Sequence, residues 1–378
     1  MKWVNILKIA MIGHKRIPSR EGGVEIVVEE LSTRMVKKGL QVDVYNRSGR
    51  HVATNEKSKK IRSYKGVKII TVPTSNLKSL NALIYSGLAT LRAVFGRYDV
   101  IHYHAEGPAA MLIIPHILGI RTIVTIHGLD WQRAKWGGFA TKYLKFGEKM
   151  AAKYADEIIV LSTNVQRYFK EKYGRETNYI PNGVKQPKLM ESSLIKKKYD
   201  LNKNGYFLFL ARIVPEKGLH YLLEAYRKLD TEIKLVIAGG ISHSGEYAEE
   251  IKKMAKKDKR VKMVGFVQGD ELGELFSNCL AYVLPSDIEG MPISLLEAMS
   301  YKRKCIVSDI PENMEVVENQ ALHFKKGDVQ DLNLKLQEVL NGINEKTDSG
   351  YKEYDMRRFD WDRVTEDNLK VYKSKARG

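Results

Sequence analysis

The stretch AYVLPSDIEGMPISLLEAM, residues 281–299, holds a strand, a loop and a helix in succession. Residues 281–284 are apolar, as expected of a strand that is buried on both faces of a sheet. Apolar residues then recur at helical spacing up to residue 299, and Pro292 is predicted at the first helical position, which proline favours. The loop between them follows the carboxyl end of the strand. This is the repeating unit of a parallel α/β sheet.

The same alternation extends to both sides of this stretch. Strands are predicted at 8–12, 42–45, 67–72, 100–103, 122–126 and 157–161, and again at 206–210, 234–238, 261–264, 281–284 and 304–307. Helices are predicted at 24–38, 219–229, 271–276, 292–299 and 328–340. Strands and helices that alternate in this way indicate a mostly parallel sheet with helices on both faces.

Because the pattern starts afresh in the second half, the 378 residues predict two α/β domains. A polar, lysine-rich stretch after Pro181 separates them. We predict a first domain at 1–184, a linker at 185–204, a second domain at 205–358 and a terminal segment at 359–378. Two doubly wound domains are expected to face each other across a cleft, with ligands beyond the carboxyl ends of the strands.

Composition narrows the class of protein. Hydrophobic residues make up 43% and charged residues 29%, an ordinary globular mixture. A charge inside the apolar stretch at 1–8, with no small-residue cleavage site after it, argues against a signal peptide. The apolar run at 108–120 is too short for a transmembrane helix. The two cysteines, Cys279 and Cys305, suit a reducing cytoplasm. We therefore predict a cytoplasmic protein that is at most peripheral to a membrane.

The net positive charge is concentrated in the first half of the chain. Residues 1–184 carry 30 lysines and arginines against 14 aspartates and glutamates, whereas the remainder carries 33 against 31. Such an asymmetry favours an anionic partner for the first half, such as membrane headgroups, a phosphorylated lipid or nucleic acid. A merely solubilising surface is the alternative.

Several common motifs are missing from the sequence. It contains no G-x-G-x-x-G after the first strand, no G-x-x-x-x-G-K-[ST], no H-E-x-x-H, no C-x-x-C and no G-x-S-x-G. A single D-x-D, Asp360 to Asp362, opens a terminal helix pattern, where an aspartate serves more simply as an N-cap than as a metal ligand. No metal site is therefore predicted.

Two candidate ligand turns lie in the first half. Gly22 and Gly23 precede the helix predicted at 24–38, where unobstructed backbone N–H groups can approach an anion. Glycines at such turns are also found simply because the backbone needs a positive φ. His127 and Gly128 directly follow the strand at 122–126. The imidazole can contact a ligand oxygen there, or its role can be structural.

Two further turns lie in the second half. Arg212 and Lys217 follow the strand at 206–210 and could grip a diphosphate. The backbone N–H groups of Gly290, Met291 and Ile293 surround the helix start at Pro292, which is a second anion site. If the stretch from Glu289 to Glu297 is helical, the two α-carbons lie about 12 Å apart.

That spacing is wider than the gap of roughly 5–9.5 Å between paired glycosidase carboxylates, so one extended ligand touching both is favoured. An anionic middle with hydroxyl-bearing ends describes a nucleotide diphosphate sugar. No metal is required, because side chains and the helix dipole can neutralise the diphosphate. The turn at 265–267, with Val267, is a candidate base pocket or a plain turn.

Together, these motifs resemble those of the retaining GT-B glycosyltransferases of family 4, also called glycosyl transferases group 1. The resemblance rests on E-G-M-P-I-S-L-L-E-A from Glu289, on the R-x-x-x-x-K from Arg212 to Lys217, on Gly22-Gly23 and on His127-Gly128. It spans nearly the whole chain, including a terminal segment from Phe359 that resembles the family's last helix, which returns to the first domain. The first half is also similar to enzymes that build bacterial surface polysaccharides, some of them rhamnosyltransferases.

The resemblance implies roles for these residues. Arg212 and Lys217 would bind the diphosphate of a UDP-, GDP- or dTDP-sugar opposite the amide of Gly23, and Glu297 would bind the ribose. Glu289 would hold the donor sugar near its reacting face, and His127 would contact the sugar or its phosphate side. The leaving phosphate would act as the base, so neither a nucleophilic side chain nor a metal is implied. Met291 stands where the family often has an aromatic residue, so the sugar itself is not assigned.

The acceptor is expected on the basic first half. Residues 131–153 interleave aromatic side chains with lysines, and Lys142, Lys145, Lys149 and Lys153 follow helical spacing. Such a helix can lie on anionic headgroups at the inner face of the cell membrane, where a lipid-linked acceptor would be found, or can pack its aromatic side chains inward. A second basic group in the first half adds charge: Lys57, Lys59, Lys60, Arg62, Lys65 and Lys68.

Two other classes of function stay open. A sugar-nucleotide epimerase of similar fold would need acid–base residues but no acceptor surface, and the basic, aromatic first half disfavours it. A nucleic-acid-binding protein would explain the basic half but not the loop around Glu289, and no nucleic-acid-binding motif is present. The sequence does not indicate an oligomeric state.

Overall fold

A computed structural model describes residues 6–48, 61–74, 78–132, 137–240, 245–318, 320–344 and 354–374. The chain divides into two compact units. Unit 1 comprises the residues up to Asn182 together with those from Trp361 onward, and unit 2 runs from Gly183 to Asp360.

Unit 1 is built on a sheet flanked by helices. Its strands are β1 (Lys8–Ile12), β2 (Gln41–Arg47), β3 (Ser63–Tyr64), β4 (Val67–Val72), β5 (Val100–His104), β6 (Arg121–Ile126), β7 (Glu157–Val160) and β8 (Asn178–Tyr179). Its helices are α1 (Gly23–Lys37), α2 (Lys78–Val94), α3 (Glu106–Ala109), α4 (Ile113–Ile117), α5 (Gly138–Tyr154), α6 (Thr163–Tyr173) and α14 (Trp361–Lys373).

The strand order in unit 1 is β3-β4-β2-β1-β5-β6-β7-β8, and within the described residues only β3 pairs in the antiparallel sense. Ile9 on β1 pairs with Val42 on one side and with Val100 on the other. The order reverses between β1 and β5, which is the position where a doubly wound sheet opens a crevice beyond the carboxyl ends of its strands.

The last helix, α14, belongs to unit 1 and packs against α1. Its apolar side chains Trp361, Val364 and Tyr372 are buried, and the Tyr372 hydroxyl lies 2.5 Å from Nδ1 of His102. On the rim of the same contact, Arg34 Nε donates to a carboxylate oxygen of Asp362 at 2.9 Å. Burial of its apolar stripe therefore holds this distant segment on unit 1.

Unit 2 contains a second sheet. Its strands are β9 (Tyr206–Leu210), β10 (Lys234–Ala238), β11 (Val261–Gly265), β12 (Ala281–Leu284), β13 (Lys304–Ser308) and β14 (Leu322–Phe324). Its helices are α7 (Leu194–Tyr199), α8 (Leu219–Arg227), α9 (Gly245–Lys256), α10 (Gly269–Asn278), α11 (Ile293–Ser300), α12 (Pro311–Val317) and α13 (Val329–Asn344).

The strand order in unit 2 is β11-β10-β9-β12-β13-β14, with parallel pairing throughout. This is the 3-2-1-4-5-6 order of a nucleotide-binding sheet, whose crevice lies between its first and fourth strands, here β9 and β12. The predicted doubly wound α/β architecture is confirmed in both units.

The predicted linker at 185–204 contains helix α7, which packs on unit 2. Ile195 is fully buried, and a carboxylate oxygen of Glu274 on α10 accepts hydrogen bonds from the backbone N–H groups of Ser193 and Ile195 at 2.9 and 3.0 Å. The lysine-rich composition that suggested a linker is the exposed face of this helix.

Candidate active site

Two loops meet beyond the carboxyl ends of β9 and β12. The first runs from Ala211 to Gly218, and the second from Pro285 to Pro292. Gly218 has a left-handed backbone (φ +63°), and a Cβ added there would lie 1.9 Å from the carbonyl oxygen of Pro285. The backbone N–H of Asp287 also donates to the carbonyl oxygen of Glu216 at 2.9 Å. The two loops therefore form one packed edge at the crevice.

Gly218→Ala tests this close packing. The Cβ would clash with backbone and would occupy an unfavourable φ, so we expect unit 2 to lose about 2–4 kcal/mol of unfolding free energy. Urea denaturation followed by circular dichroism measures this loss. Gly240→Ala is the matched control, because nothing lies within 4 Å of its added Cβ. Equal stability of the two variants would contradict the packing described here.

The structure brings Lys217 and Glu289 into direct contact across these loops. Lys217 Nζ lies 2.5 Å from Glu289 Oε1, and Ser286 Oγ donates to the same oxygen at 2.7 Å. The Glu289 side chain is only 6% exposed and the Lys217 side chain 16%. A cation and a carboxylate are thus held together at the edge of the crevice in a largely water-excluded setting.

A buried hydrogen-bond network fixes the backbone beneath Glu289. Ser308 Oγ donates to the carbonyl oxygen of Ser286 at 2.5 Å, and Asn313 Nδ2 donates to Ser308 Oγ at 3.1 Å. Ser286, Ser308 and Asn313 are all fully buried. Because buried polar groups are costly to leave unpaired, breaking these hydrogen bonds to move the loop is unfavourable.

The start of α11 differs by one residue from the sequence prediction. Pro292 is the N-cap, with an extended backbone (ψ 106°), and the helix begins at Ile293. The prediction was wrong because proline's fixed φ suits the residue before a helix as well as its first position. Glu289 consequently lies in the loop, so the estimate of about 12 Å for a continuous helix does not apply.

Several predicted residues surround this helix start. Gly290, Met291 and Pro292 are buried, and Ile293 is half-buried. The first N–H groups of α11 have no intrahelical partner and carry the positive end of its dipole. This end of α11 can therefore bind an anion.

Glu297 lies on α11 and is half-buried. Burial raises the pKa of Tyr282 on β12, and the carboxylates of Glu289 and Glu297 raise it further. That hydroxyl lies 2.7 Å from Ser294 Oγ and 3.3 Å from the carbonyl oxygen of Leu210. Tyr282 thus ties the first turn of α11 to the end of β9.

The other predicted residues of unit 2 lie along the same edge of its sheet. Arg212 is half-buried and directly follows the Ala211 carbonyl, which packs against Gly239 at the end of β10. Val267 is buried in the turn after β11, whereas its neighbour Phe266 is 50% exposed. Loops after β9, β10, β11 and β12 thus contribute to one side of the sheet.

In unit 1 the glycine turn lies at the β1/β5 reversal. Gly22 is the N-cap of α1 and Gly23 its first residue. Gly22 has an extended backbone (φ −157°), so a left-handed conformation is not its role here. A Cβ on it would lie 2.3 Å from a carboxylate oxygen of Glu25, whose other oxygen accepts the backbone N–H of Lys15 at 2.9 Å. A side chain at this position would therefore displace the end of the flexible Glu25 side chain, not backbone.

His127 is 8% exposed and belongs to a histidine cluster. Its Nε2 lies 3.0 Å from Nδ1 of His104, and the His104 ring lies 4.2 Å from the His102 ring. Burial holds the pKa of His102 and of His104 well below the usual value, so both rings are neutral at pH 7. The neutral His104 ring therefore orients His127 through this contact.

The predicted basic helix is α5, and its lysines Lys142, Lys145, Lys149 and Lys153 are all exposed. Its aromatic residues divide between two environments: Tyr143 is half-buried and donates to the Gly107 carbonyl at 2.8 Å, whereas Phe139 and Phe146 are 71% and 50% exposed. Other members of the predicted basic and aromatic groups lie outside the described residues, namely Lys57, Lys59, Lys60, Arg133, Lys135 and Trp136.

The described residues contain no group of three or more histidine, cysteine, aspartate or glutamate side chains that could hold a metal ion. In the D-x-D stretch, Asp362 is ion-paired with Arg34 at 2.9 Å. None of the described helices is long and apolar enough to cross a bilayer.

Three supporting residues were not predicted from the sequence: Ser286, Tyr282 and His104. Each lies on a predicted strand or within two residues of its end, and each contacts a predicted residue or helix. A polar residue at the end of a buried strand is the signal that marks Ser286 and His104. Tyr282 lies among apolar residues inside a strand, and nothing in the sequence distinguishes it from an ordinary core residue.

Two family models match the chain and together span most of it. One, described as glycosyl transferases group 1, matches residues 191–356, and the other, described as glycosyltransferase family 4, matches residues 21–186. The boundary between the two matches falls close to the division between the two units.

Individual proteins match over long stretches. The O-antigen chain mannosyltransferase C of Escherichia coli is 26% identical over 91% of both chains. The UDP-Gal:alpha-D-GlcNAc-diphosphoundecaprenol alpha-1,3-galactosyltransferase of Escherichia coli is 29% identical over 59% of this chain and 61% of its own. Among solved structures, HepE of Anabaena, in complex with UDP and glucose, superimposes with a TM-score of 0.77 at 16% identity, covering 97% of this chain and 99% of that one.

Proposed function

The chain belongs to the family 4, group 1 glycosyltransferases of GT-B fold, and from this premise we propose that it moves a sugar from a nucleotide diphosphate sugar to a lipid-linked glycan. The transfer retains the anomeric configuration and needs no metal. The product is a lengthened glycan of a surface polysaccharide. Unit 2 binds the sugar donor, and unit 1 binds the acceptor.

The observation that carries this proposal is the contact between Lys217 and Glu289 at the β9/β12 crevice. A sugar nucleotide presents a diphosphate, which an ammonium group binds, next to a sugar whose hydroxyls a carboxylate binds. The two partners of that ligand are therefore already adjacent in unit 2.

The remaining residues contact other parts of the same ligand. Arg212 and the N-terminus of α11 add positive charge for the diphosphate, and Glu297 accepts from the ribose hydroxyls. As the bond between the anomeric carbon and the β-phosphate oxygen breaks, these groups stabilise the charge that develops on the leaving diphosphate. The acceptor oxygen bonds to the anomeric carbon on the same face and passes its proton to the leaving phosphate. No side chain becomes covalently attached.

Two observations support a lipid-linked acceptor. The galactosyltransferase relative has a diphosphoundecaprenol acceptor in its name, and the mannosyltransferase relative is named for O-antigen chains. The net charge of +16 on residues 1–184 suits a phosphorylated acceptor held at an anionic membrane surface. Specific binding of nucleic acid is not part of this proposal.

Removal of metal ions should leave the transfer rate unchanged. Side chains and a helix dipole replace the divalent cation that other sugar-nucleotide enzymes place on the diphosphate, so excess EDTA should change the rate by less than about twofold. Release of nucleoside diphosphate from UDP-, GDP- and dTDP-sugars with a membrane-extracted lipid-linked acceptor measures the rate. A fall of tenfold or more, restored by added Mg²⁺ or Mn²⁺, would refute the metal-independent mechanism.

The same assay tests the function itself. Formation of a glycosylated lipid with the donor's anomeric configuration supports the proposal. Conversion of the sugar nucleotide without any acceptor would identify an epimerase instead, and transfer to water-soluble acceptors alone would refute the lipid-linked part.

A further inference from the structure

Helix α2 presents large apolar side chains to solvent. Ile84, Leu88 and Leu91 are 37%, 43% and 47% exposed, and Phe95, which directly follows the helix, is 83% exposed. Their spacing of four, three and four residues places them on one stripe. The opposite face of the helix, with Tyr85, Ala89 and Ala93, is fully buried in the core of unit 1. The helix is therefore apolar on both faces, and only one of them is used by the fold.

The exposed apolar surface continues onto neighbouring helices. Helix α4 contacts both α2 and α5, and at its end Ile117 and Leu118 are 74% and 57% exposed. On α5, the exposed Phe139 and Phe146 share a stripe with exposed lysines. We call this surface the α2/α4/α5 face. Adjoining apolar groups on this scale are typical of an interaction site.

The charged side chains that α2, α4 and α5 expose within the described residues are all basic. Helices α2 and α4 contain no aspartate or glutamate, and the one carboxylate of α5, Glu148, is fully buried. Exposed cations are present on α2 (Arg92) and on α5 (Lys142, Lys149 and Lys153). A partner that covers this face must therefore carry negative charge as well as apolar groups.

A groove of about 400 Å³ adjoins the apolar stripe. Arg92 of α2 lines it together with Arg62 and Lys68, and the rest of its wall is formed by Ile61, Ile69, Ile70, Pro73, Ser48 and Thr71. Within the described part of the chain, Arg62 and Arg92 form no ion pair, and Lys68 Nζ lies 3.5 Å from a carboxylate oxygen of Asp43. Three cations around an aliphatic wall suit a phosphate group attached to an apolar chain.

From these observations we propose that the α2/α4/α5 face docks on a bilayer containing anionic phospholipid. The stripe from Ile84 to Phe95 enters the boundary between headgroups and acyl chains, and the groove around Arg92 binds a headgroup phosphate. Nucleic acid would leave the apolar stripe uncovered. A second copy bound through the same face would bring its cations together, which is unfavourable. The inference deepens the proposed function, on which it rests for the lipid-linked acceptor.

Flotation with vesicles tests the docking surface. The probes are phosphatidylcholine vesicles and vesicles of phosphatidylcholine with phosphatidylglycerol, at low and high salt, with the wild type, a Leu88→Ser/Leu91→Ser variant and a Leu334→Ser control. Leu334 is an exposed leucine on a helix of unit 2 (55% exposed), so it matches the chemical change. Circular dichroism confirms that all three proteins are folded.

We expect the wild type and the control to float with the anionic vesicles at low salt and the double variant to bind them at least tenfold more weakly. Equal binding by the double variant, or no binding by the wild type, overturns the proposal. Self-association of the wild type that disappears in the double variant, without vesicle binding, assigns the face to a second copy and also overturns it.

Binding of nucleoside diphosphates, measured on the same preparations, separates this inference from the proposed function. If nucleotides bind but vesicles do not, the docking surface fails and the proposed function stands. If vesicles bind but nucleotides do not, the proposed function fails and the docking surface stands.

Discussion

Arg212→Ala is expected to lower kcat/KM for the sugar nucleotide by about a thousandfold. An arginine fork can donate two charge-assisted hydrogen bonds to the diphosphate, and each contributes about 1.5–3 kcal/mol. Because about 1.4 kcal/mol corresponds to a factor of ten, their loss gives two to four orders of magnitude. Initial rates of nucleoside diphosphate release at varied concentrations of sugar nucleotide measure the effect.

Arg227→Ala is the matched control for this variant, because Arg227 is exposed at the end of α8 in the same unit. We expect it to retain wild-type kinetics. Arg212→Lys should recover part of the loss, because an ammonium supplies charge without the planar fork. An Arg212→Ala enzyme within about threefold of the wild type would remove Arg212 from the diphosphate site.

Glu289→Ala is expected to lower kcat by about a hundred- to a thousandfold while leaving the affinity for the nucleoside diphosphate unchanged or higher. The carboxylate holds the sugar, so its removal misplaces the reacting carbon. It also releases Lys217, which lies 2.5 Å from Glu289, to interact with the diphosphate alone. Single-turnover rates report the first effect, and calorimetric titration with the nucleoside diphosphate reports the second.

Glu289→Gln keeps the shape and the hydrogen bond from Ser286, so it separates charge from packing. The matched control is Glu224→Gln, at an exposed site on α8. A parallel loss of nucleoside diphosphate binding in Glu289→Ala would show that Glu289 supports the nucleotide pocket and not the sugar.

The long central strands could be predicted from sequence. The predicted bounds match the structure for β1, β4, β9, β10 and β12. Strands β1, β9, β10 and β12 are almost entirely buried, and such strands are mostly apolar runs flanked by polar turns. Strand β4 is partly exposed at Lys68, but its other residues are β-branched. The strands β3, β8 and β14 were missed, since each is only two or three residues long and lies at the edge of its sheet. Short edge strands depend on their neighbour for pairing and carry little signal of their own.

Helix α2 was missed for a different reason. Its residues are apolar on both faces, so the usual alternation between a buried and a polar stripe is absent. The same property makes it the main element of the proposed docking surface.

The loops of the site could be located from sequence, but their geometry could not. A lysine at the end of one loop and a glutamate in another were both predicted, yet their contact depends on the adjacency of β9 and β12, which are 72 residues apart along the chain at the contact. Likewise, the contact between His104 and His127 requires β5 and β6 to be neighbours. Contacts that depend on the order of strands in the sheet cannot be predicted from the sequence pattern alone.

The most direct test is a thermal-shift titration of UDP, GDP and dTDP, without metal, on the wild type, Arg212→Ala and Glu297→Ala. If unit 2 binds a nucleotide diphosphate sugar as proposed, one nucleotide raises the Tm of the wild type and both variants lose that shift, because ligand binding stabilises the folded state. A wild type that no nucleotide stabilises, or a shift that survives in both variants, would contradict the assignment of the sugar-donor site.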